Sequence, residues 1–260
     1  MRLLLRWLAY LLLFAAPGAH ANNAETGVVL LHGKWDKPPT HVSFLARQLE
    51  SAGFLVAMPT MPWSDLRQYD AGYPAALAEI EAAAASLRQK GAKRVVVAGQ
   101  SFGANAALAY AASGRKVDGV AALSPGHTPE RGNFKKALEP SVAKARSMIE
   151  SGQPDEKAWF EDRNQGKSRN MRTSAAIYLS YFDPEGIGNM QKTASDIPQG
   201  VPVFMAVGTA DNLAGVAEAS LFDRAPKNAL SKYVAVPADH LGLVQVIDGP
   251  LIQWLQQIAR

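Results

Sequence analysis

The sequence predicts an α/β protein: a mostly parallel, doubly wound sheet of about six strands with helices on both faces and a helical cap inserted over it. Three observations carry that expectation. Short apolar runs alternate with helical periods along nearly the whole chain, which is the pattern of a βαβ series. The runs are apolar throughout, not polar-apolar alternating, as strands buried on both faces of a parallel sheet are. One connection, over residues 125–199, is far too long for a simple crossover.

Six runs qualify as strands, at 27–31, 54–58, 94–98, 117–123, 201–207 and 232–236. Helical spacing joins Val42, Leu45 and Leu49 before the second run, and Leu77, Ile80, Ala84 and Leu87 before the third. It joins Val244, Ile247, Leu251, Leu255 and Ile258 at the end. Such stripes face a core, and right-handed crossovers then place helices on both sides of the sheet. The long connection is polar and carries charged clusters. Helical stretches read over 135–151 and, with breaks, over 155–181, so a helical cap within one domain is expected there.

Composition narrows the function classes. The chain has 260 residues, 48% of them hydrophobic, and no cysteine. That excludes disulfide scaffolds, thiolate metal sites, iron–sulfur clusters and a cysteine nucleophile. Lys and Arg number 27 against 23 Asp and Glu, an excess too small to point to a nucleic-acid partner. Residues 1–21 read as a secretory signal: Arg2 and Arg6 precede an apolar stretch from Trp7 to Ala16, and Ala19-His20-Ala21 is a small-x-small cleavage site. The apolar stretch is short of a membrane span, and no later segment approaches one. Cleavage would leave one domain over 22–260 and reduce the net charge from +4 to +2. A periplasmic or secreted protein is expected.

The chemistry concentrates after the third run, in Gly99-Gln100-Ser101-Phe102-Gly103. Gly-x-Ser-x-Gly alone is common, but here a buried strand leads in and an Ala-rich helix leads out, which is the strand, sharp turn, helix of a nucleophile elbow. Glycines two residues either side remove side chains that would collide across the turn. A plain helix N-cap is the competing reading of Ser101. A serine nucleophile needs a base, and the base an orienting acid. His240 follows the sixth run and Asp211 the fifth, both on the carboxyl rim with Ser101 and in the order the elbow predicts. Asp211 also reads as a helix N-cap before 213–222. Asp183 is the reserve acid, Asp239 a poor one, and His32 a turn residue. After His32-Gly33, the N–H of Lys34, or else of Trp35, would join that of Phe102 in an oxyanion hole.

In these elements the chain resembles serine hydrolases of the α/β-hydrolase fold, of the exported bacterial esterase kind, from Gly27 to Ile258. The resemblance implies a Ser101, Asp211, His240 triad and an ester, thioester or amide substrate. The chain departs from the common pattern at the front, where the small antiparallel strands that often open this fold are missing, and in Lys34 beside the oxyanion hole. A small-molecule or lipid-like acyl substrate is expected. No cofactor is implied, and no His, Asp or Glu cluster has metal-ligand spacing. Trp35, Trp63, Trp159, Tyr178, Tyr181 and Phe182 are candidate pocket aromatics, Trp35 and Tyr181 foremost. Four cations without an acid, Arg163, Lys167, Arg169 and Arg172, read as a solvated helix face or an anion-binding patch. An acyltransferase on the same triad and a non-catalytic binding module are the competing functions.

Overall fold

The computed structural model describes residues 22–38 and 41–260; the export signal read over 1–21 lies outside them. In chain order the strands are β1 (Thr26–Leu31), β2 (Leu55–Ala57), β3 (Arg94–Ser101), β4 (Gly119–Pro125), β5 (Lys157–Asn164), β6 (Lys167–Ser174), β7 (Val203–Gly208) and β8 (Lys232–Val236). The helices are α1 (Ser43–Ser51), α2 (Tyr73–Gln89), α3 (Phe102–Ala112), α4 (Gly132–Glu150), α5 (Ala175–Phe182), α6 (Met190–Ser195), α7 (Ala217–Ser220) and α8 (Asp248–Ile258). Six strands form one sheet in the order β2-β1-β3-β4-β7-β8, and every pairing in it is parallel. The order reverses between β1 and β3, and the carboxyl end of such a switch point is where open α/β sheets bind their ligands.

Strand parity divides the core in two. Val29 and Leu31 of β1, Val95 and Val97 of β3, and Val120 and Ala122 of β4 pack with α2 and α3 on one face. Val28 and Leu30, Val96 and Ala98, and Ala121 and Leu123 pack with α1 and α8 on the other. Both faces of every central strand are therefore dry, which explains the unbroken apolar runs. The helical stripes fall where expected: Leu45 and Leu49 are buried in α1, Leu77, Ile80, Ala84 and Leu87 in α2, and Leu251, Leu255 and Ile258 in α8. Val244 instead sits in a 3-10 turn, Gly242–Gln245. The expected helix over 213–222 is broken by Gly215 in the left-handed region, φ 76°, leaving only α7.

The insertion between β4 and β7 differs from the helical cap expected. Residues 155–174 are not helical: β5 and β6 form an antiparallel hairpin. Along β5 Phe160 and Asp162 are buried while Trp159 is exposed, and along β6 Met171 and Thr173 are buried while Arg172 is exposed. That period of two is a strand signal. The two turn residues, Gln165 (φ 49°) and Gly166 (φ 74°), are both left-handed, as a type I′ hairpin turn requires. Helices α4, α5 and α6 make up the rest. No helix among the described residues is long and apolar enough to cross a membrane.

Trp254 locks α8 to the sheet. It is 1% exposed, lies over Gly119, where a Cβ would come within 3.0 Å of its ring, and donates from Nε1 to the Leu230 carbonyl at 2.7 Å. Trp254→Ala should cost about 3–5 kcal/mol in chemical unfolding; a loss below about 1 kcal/mol would show that α8 does not depend on it.

Candidate active site

Ser101 ends the central strand β3 and begins α3, with φ 55° and ψ −114°, a backbone state that costs about 1–3 kcal/mol and needs surrounding structure to hold it. The two motif glycines let the turn close. A Cβ on Gly99 would lie 2.2 Å from the Gly103 carbonyl carbon, and one on Gly103 would lie 2.5 Å from the Leu31 carbonyl oxygen. Ser101 occupies the N-cap position of α3, yet its side chain makes no capping bond. Its hydroxyl instead lies 2.9 Å from His240 Nε2.

His240 Nδ1 in turn lies 2.7 Å from Asp211 Oδ2, while Asp211 Oδ1 accepts from the Leu213 N–H at 2.9 Å. Burial works against the Asp211 carboxylate, but the bonds from His240 and Leu213 outweigh it and hold its pKa below the usual range. An ionised Asp211 can only accept, so Nδ1 carries the hydrogen and Nε2 is left to accept from the Ser101 hydroxyl. The loops bearing these residues are drawn together by Gly208, where a Cβ would lie 2.3 Å from the Ala238 carbonyl oxygen, and by the Ala210 N–H bond to that carbonyl at 3.0 Å.

The other acids and histidines are engaged elsewhere. Asp183 pairs with Arg146 at 2.8 Å, and Asp239 accepts from the Gly242 N–H at 2.6 Å. His32 uses both ring nitrogens on backbone groups, Nε2 accepting from the Met61 N–H in the loop after β2 at 3.0 Å and Nδ1 donating to the Gly33 carbonyl at 2.8 Å. His127 lies flat on Phe102, ring centroids 4.0 Å apart, and donates from Nε2 to the Tyr181 carbonyl at 2.7 Å. Burial first, then the nearby Lys34 charge, pushes its pKa far down.

The loop after β1 passes against the serine: a Cβ on Gly33 would lie 3.4 Å from Ser101 Cβ. Of the two N–H groups considered there, that of Trp35 is bonded to the Trp63 carbonyl at 2.9 Å. The Lys34 N–H has no hydrogen-bond partner among the described residues, and the Phe102 N–H, first in α3, has no intrahelical partner. Ser101, Asp211, His240, Phe102 and Lys34 all line one cavity of about 640 Å³.

A family model described as "Alpha/beta hydrolase family" matches residues 28–248. The chain belongs to the alpha/beta hydrolase family. Solved structures share its fold at low identity. A thermostable carboxyl esterase from Bacillus coagulans is 14% identical, with a TM-score of 0.63 over 90% of this chain and 91% of that one. A putative hydrolase from Agrobacterium vitis S4 is 16% identical, with a TM-score of 0.61 over 94% and 91%. A monoacylglycerol lipase from Paleococcus ferrophilus is 21% identical, with a TM-score of 0.59 over 89% and 94%. Among curated proteins no sequence matches.

Most of the aromatics expected in this hydrolase's pocket lie elsewhere. Tyr181 is not a substrate contact: it is fully buried, stacked on Tyr73, and its hydroxyl donates to the Ala71 carbonyl at 2.8 Å. Trp63, Tyr178 and Phe182 are likewise core, because an aromatic next to a buried elbow finds more apolar surface below it than in the cavity. Trp159 is 60% exposed. Trp35 does line a smaller adjoining cavity of about 310 Å³. Gln100 and Gly126 also border Ser101 and His240. Gln100 is buried and donates to the His240 carbonyl at 3.2 Å, and a Cβ on Gly126 would lie 2.7 Å from Ser101 Oγ.

The largest omission is Asp162 of β5. Its fully buried carboxylate accepts from Lys34 Nζ at 2.6 Å, Trp35 Nε1 at 2.7 Å and Tyr69 Oη at 2.8 Å. The Lys34 ammonium also sits 4.9–5.4 Å from the ring centroids of Phe134, Phe182 and Phe102. Burial lowers its pKa, against the pull of Asp162. This pair ties the loop beside Ser101 to the inserted hairpin. A lysine next to Gly33 was the available signal, since a buried ammonium demands an acid. Removing one partner strands the other, so Asp162→Asn should cost about 3–5 kcal/mol in urea unfolding, and Lys34→Met combined with Asp162→Asn should recover most of it. Equal loss in the single and double variants would contradict a paired charge.

Proposed function

We propose that the protein is a serine hydrolase that cleaves an ester or thioester through Ser101, His240 and Asp211 and an acyl-enzyme intermediate. The observation that carries this reading is the unbroken hydrogen-bonded chain from Ser101 Oγ through both nitrogens of His240 to Asp211, opening into one cavity. As Ser101 Oγ attacks the substrate carbonyl, its proton passes to His240 Nε2, and Asp211 holds the ring and balances the imidazolium charge. The N–H groups of Phe102 and Lys34 stabilise the oxyanion. Collapse expels the alcohol or thiol, which takes the Nε2 proton. Water then attacks the acyl group, giving a proton to Nε2, and departure of the acid returns that proton to Ser101.

Family membership supports hydrolysis, and the triad and the bond cleaved are our reading. The substrate is a small-molecule or lipid-like acyl compound. The basic, apolar and small-x-small pattern of residues 1–21 supports action in the periplasm or outside the cell.

Kinetics on 4-nitrophenyl butyrate test the roles. Ser101→Ala should lower kcat by at least about 10³-fold and Asp211→Asn by about 10²–10⁴-fold, since a triad acts as a unit. Full activity in Ser101→Ala would overturn the proposal.

A further inference from the structure

The wall of the catalytic cavity is basic and amide-rich. Arg131 and Arg163 line it together with Asn133, Asn164 and Gln165, and the one carboxylate on it among the described residues, Asp211, is already held by His240 and the Leu213 N–H. Lys34, also on the wall, has its charge matched by Asp162 at 2.6 Å. The two guanidiniums are not matched in this way. Arg163 Nε stands 3.8 Å from Glu161 Oε1. Among the described residues the Arg131 guanidinium makes one hydrogen bond, to Ser220 Oγ at 3.4 Å, and no ion pair. Glu130, its neighbour in sequence, feels the Arg131 charge, but burial outweighs that pull and pushes its pKa up to about 7.

The start of α4 adds to the same field. Arg131 is its N-cap residue, no side chain caps it, its first turn has no acid, and Gly132 and Asn133 face the cavity. Uncapped N–H groups at a helix start favour negative charge. Sites for long apolar groups are lined mainly by hydrophobic side chains. Here two of the apolar wall residues, Phe102 and Phe134, lie against the Lys34 ammonium.

The run of four cations in the hairpin divides accordingly. Arg163 reaches the cavity beside Ser101, and Lys167 reaches the smaller adjoining one. Arg169 is spent on Asp65 at 2.8 Å and on the Trp35 ring at 4.4 Å. Arg172 is exposed on the hairpin.

We infer that the preferred substrate is an ester or thioester carrying an anionic group, a carboxylate or phosphate, close to the scissile carbonyl, and that Arg131 and Arg163 bind that group. This rests on the serine-hydrolase reading above. The cation pair sets which acyl compound is turned over, and Ser101 does the chemistry.

The test compares charge isosteres. One pair, mono-4-nitrophenyl succinate and methyl 4-nitrophenyl succinate, puts the charge on the acyl side; the other, 4-(butyryloxy)benzoate and 4-(butyryloxy)benzamide, puts it on the leaving group. At low ionic strength the anionic member of at least one pair should have a kcat/KM about tenfold higher, as charge-assisted bonds to arginine provide. The ratio should fall toward one in about 0.5 M NaCl and in the Arg131→Gln/Arg163→Gln double variant. The Arg131→Lys/Arg163→Lys variant should keep part of it, because charge survives without the bidentate fork. A ratio at or below one in both pairs for the wild type, or a ratio unchanged in the double glutamine variant, would overturn the inference. Undiminished turnover of the neutral esters by Ser101→Ala is a different result: it would overturn the hydrolase reading, and the inference with it.

Discussion

Ser101 holds φ 55° and ψ −114° because no Cβ stands at positions 99 and 103, and that tight turn sets the geometry of everything around it. A side chain at Gly99 would strike the α3 backbone at 2.2 Å and one at Gly103 would strike the Leu31 carbonyl of β1 at 2.5 Å, so α3 could not close onto β3 and β1. With both absent, the serine hydroxyl projects from the carboxyl edge of the central strand, and the following N–H lies at a helix start. The strain is held by flanking elements buried on both sheet faces. Local conformation is here a consequence of the packed core, and the reactive geometry a consequence of local conformation.

The remaining site residues reach Ser101 from other strand ends. Asp211 follows β7, His240 follows β8, and the Gly33-Lys34 turn follows β1, beside the switch in strand order. Each loop is short or cross-braced. Gln100 bonds to the His240 carbonyl, and the Ala210 N–H bonds to that of Ala238. The front loop is held differently, through a buried ammonium and carboxylate that link it to the inserted hairpin. A buried pair of this kind contributes little net stability, but it fixes a geometry because either partner alone is costly. The insertion is therefore joined to the loop that borders the serine, and Arg163 and Arg131 both line the cavity there.

Much of this was legible in the sequence where a single local rule applied. The four central strands were readable because burial on both faces leaves unbroken apolar runs, the part-buried edge strands β2 and β8 because their short runs are still mostly apolar, and Ser101 because the elbow needs glycine at two fixed offsets. Asp211 and His240 could be located by chain order after β7 and β8. The insertion was not readable in the same way. Its hairpin carries polar residues on a half-exposed face, so the alternation of Phe160, Asp162, Met171 and Thr173 is diluted by lysines and arginines that also suit helices. Asp162 was illegible because its partner Lys34 lies 128 residues away, and nothing local marks a carboxylate as buried. Tyr181 was misplaced for a related reason: an aromatic near a site and an aromatic beneath one look alike until the packing is known.

The central claim, that Ser101 is a nucleophile activated by His240, is tested most directly by covalent trapping. After incubation with a fluorophosphonate, intact-protein and peptide mass spectrometry should find one phosphonyl adduct, on the peptide containing Ser101, formed far more slowly in His240→Ala. No adduct, an adduct on a different residue, or equal labelling rates in the two proteins would contradict it.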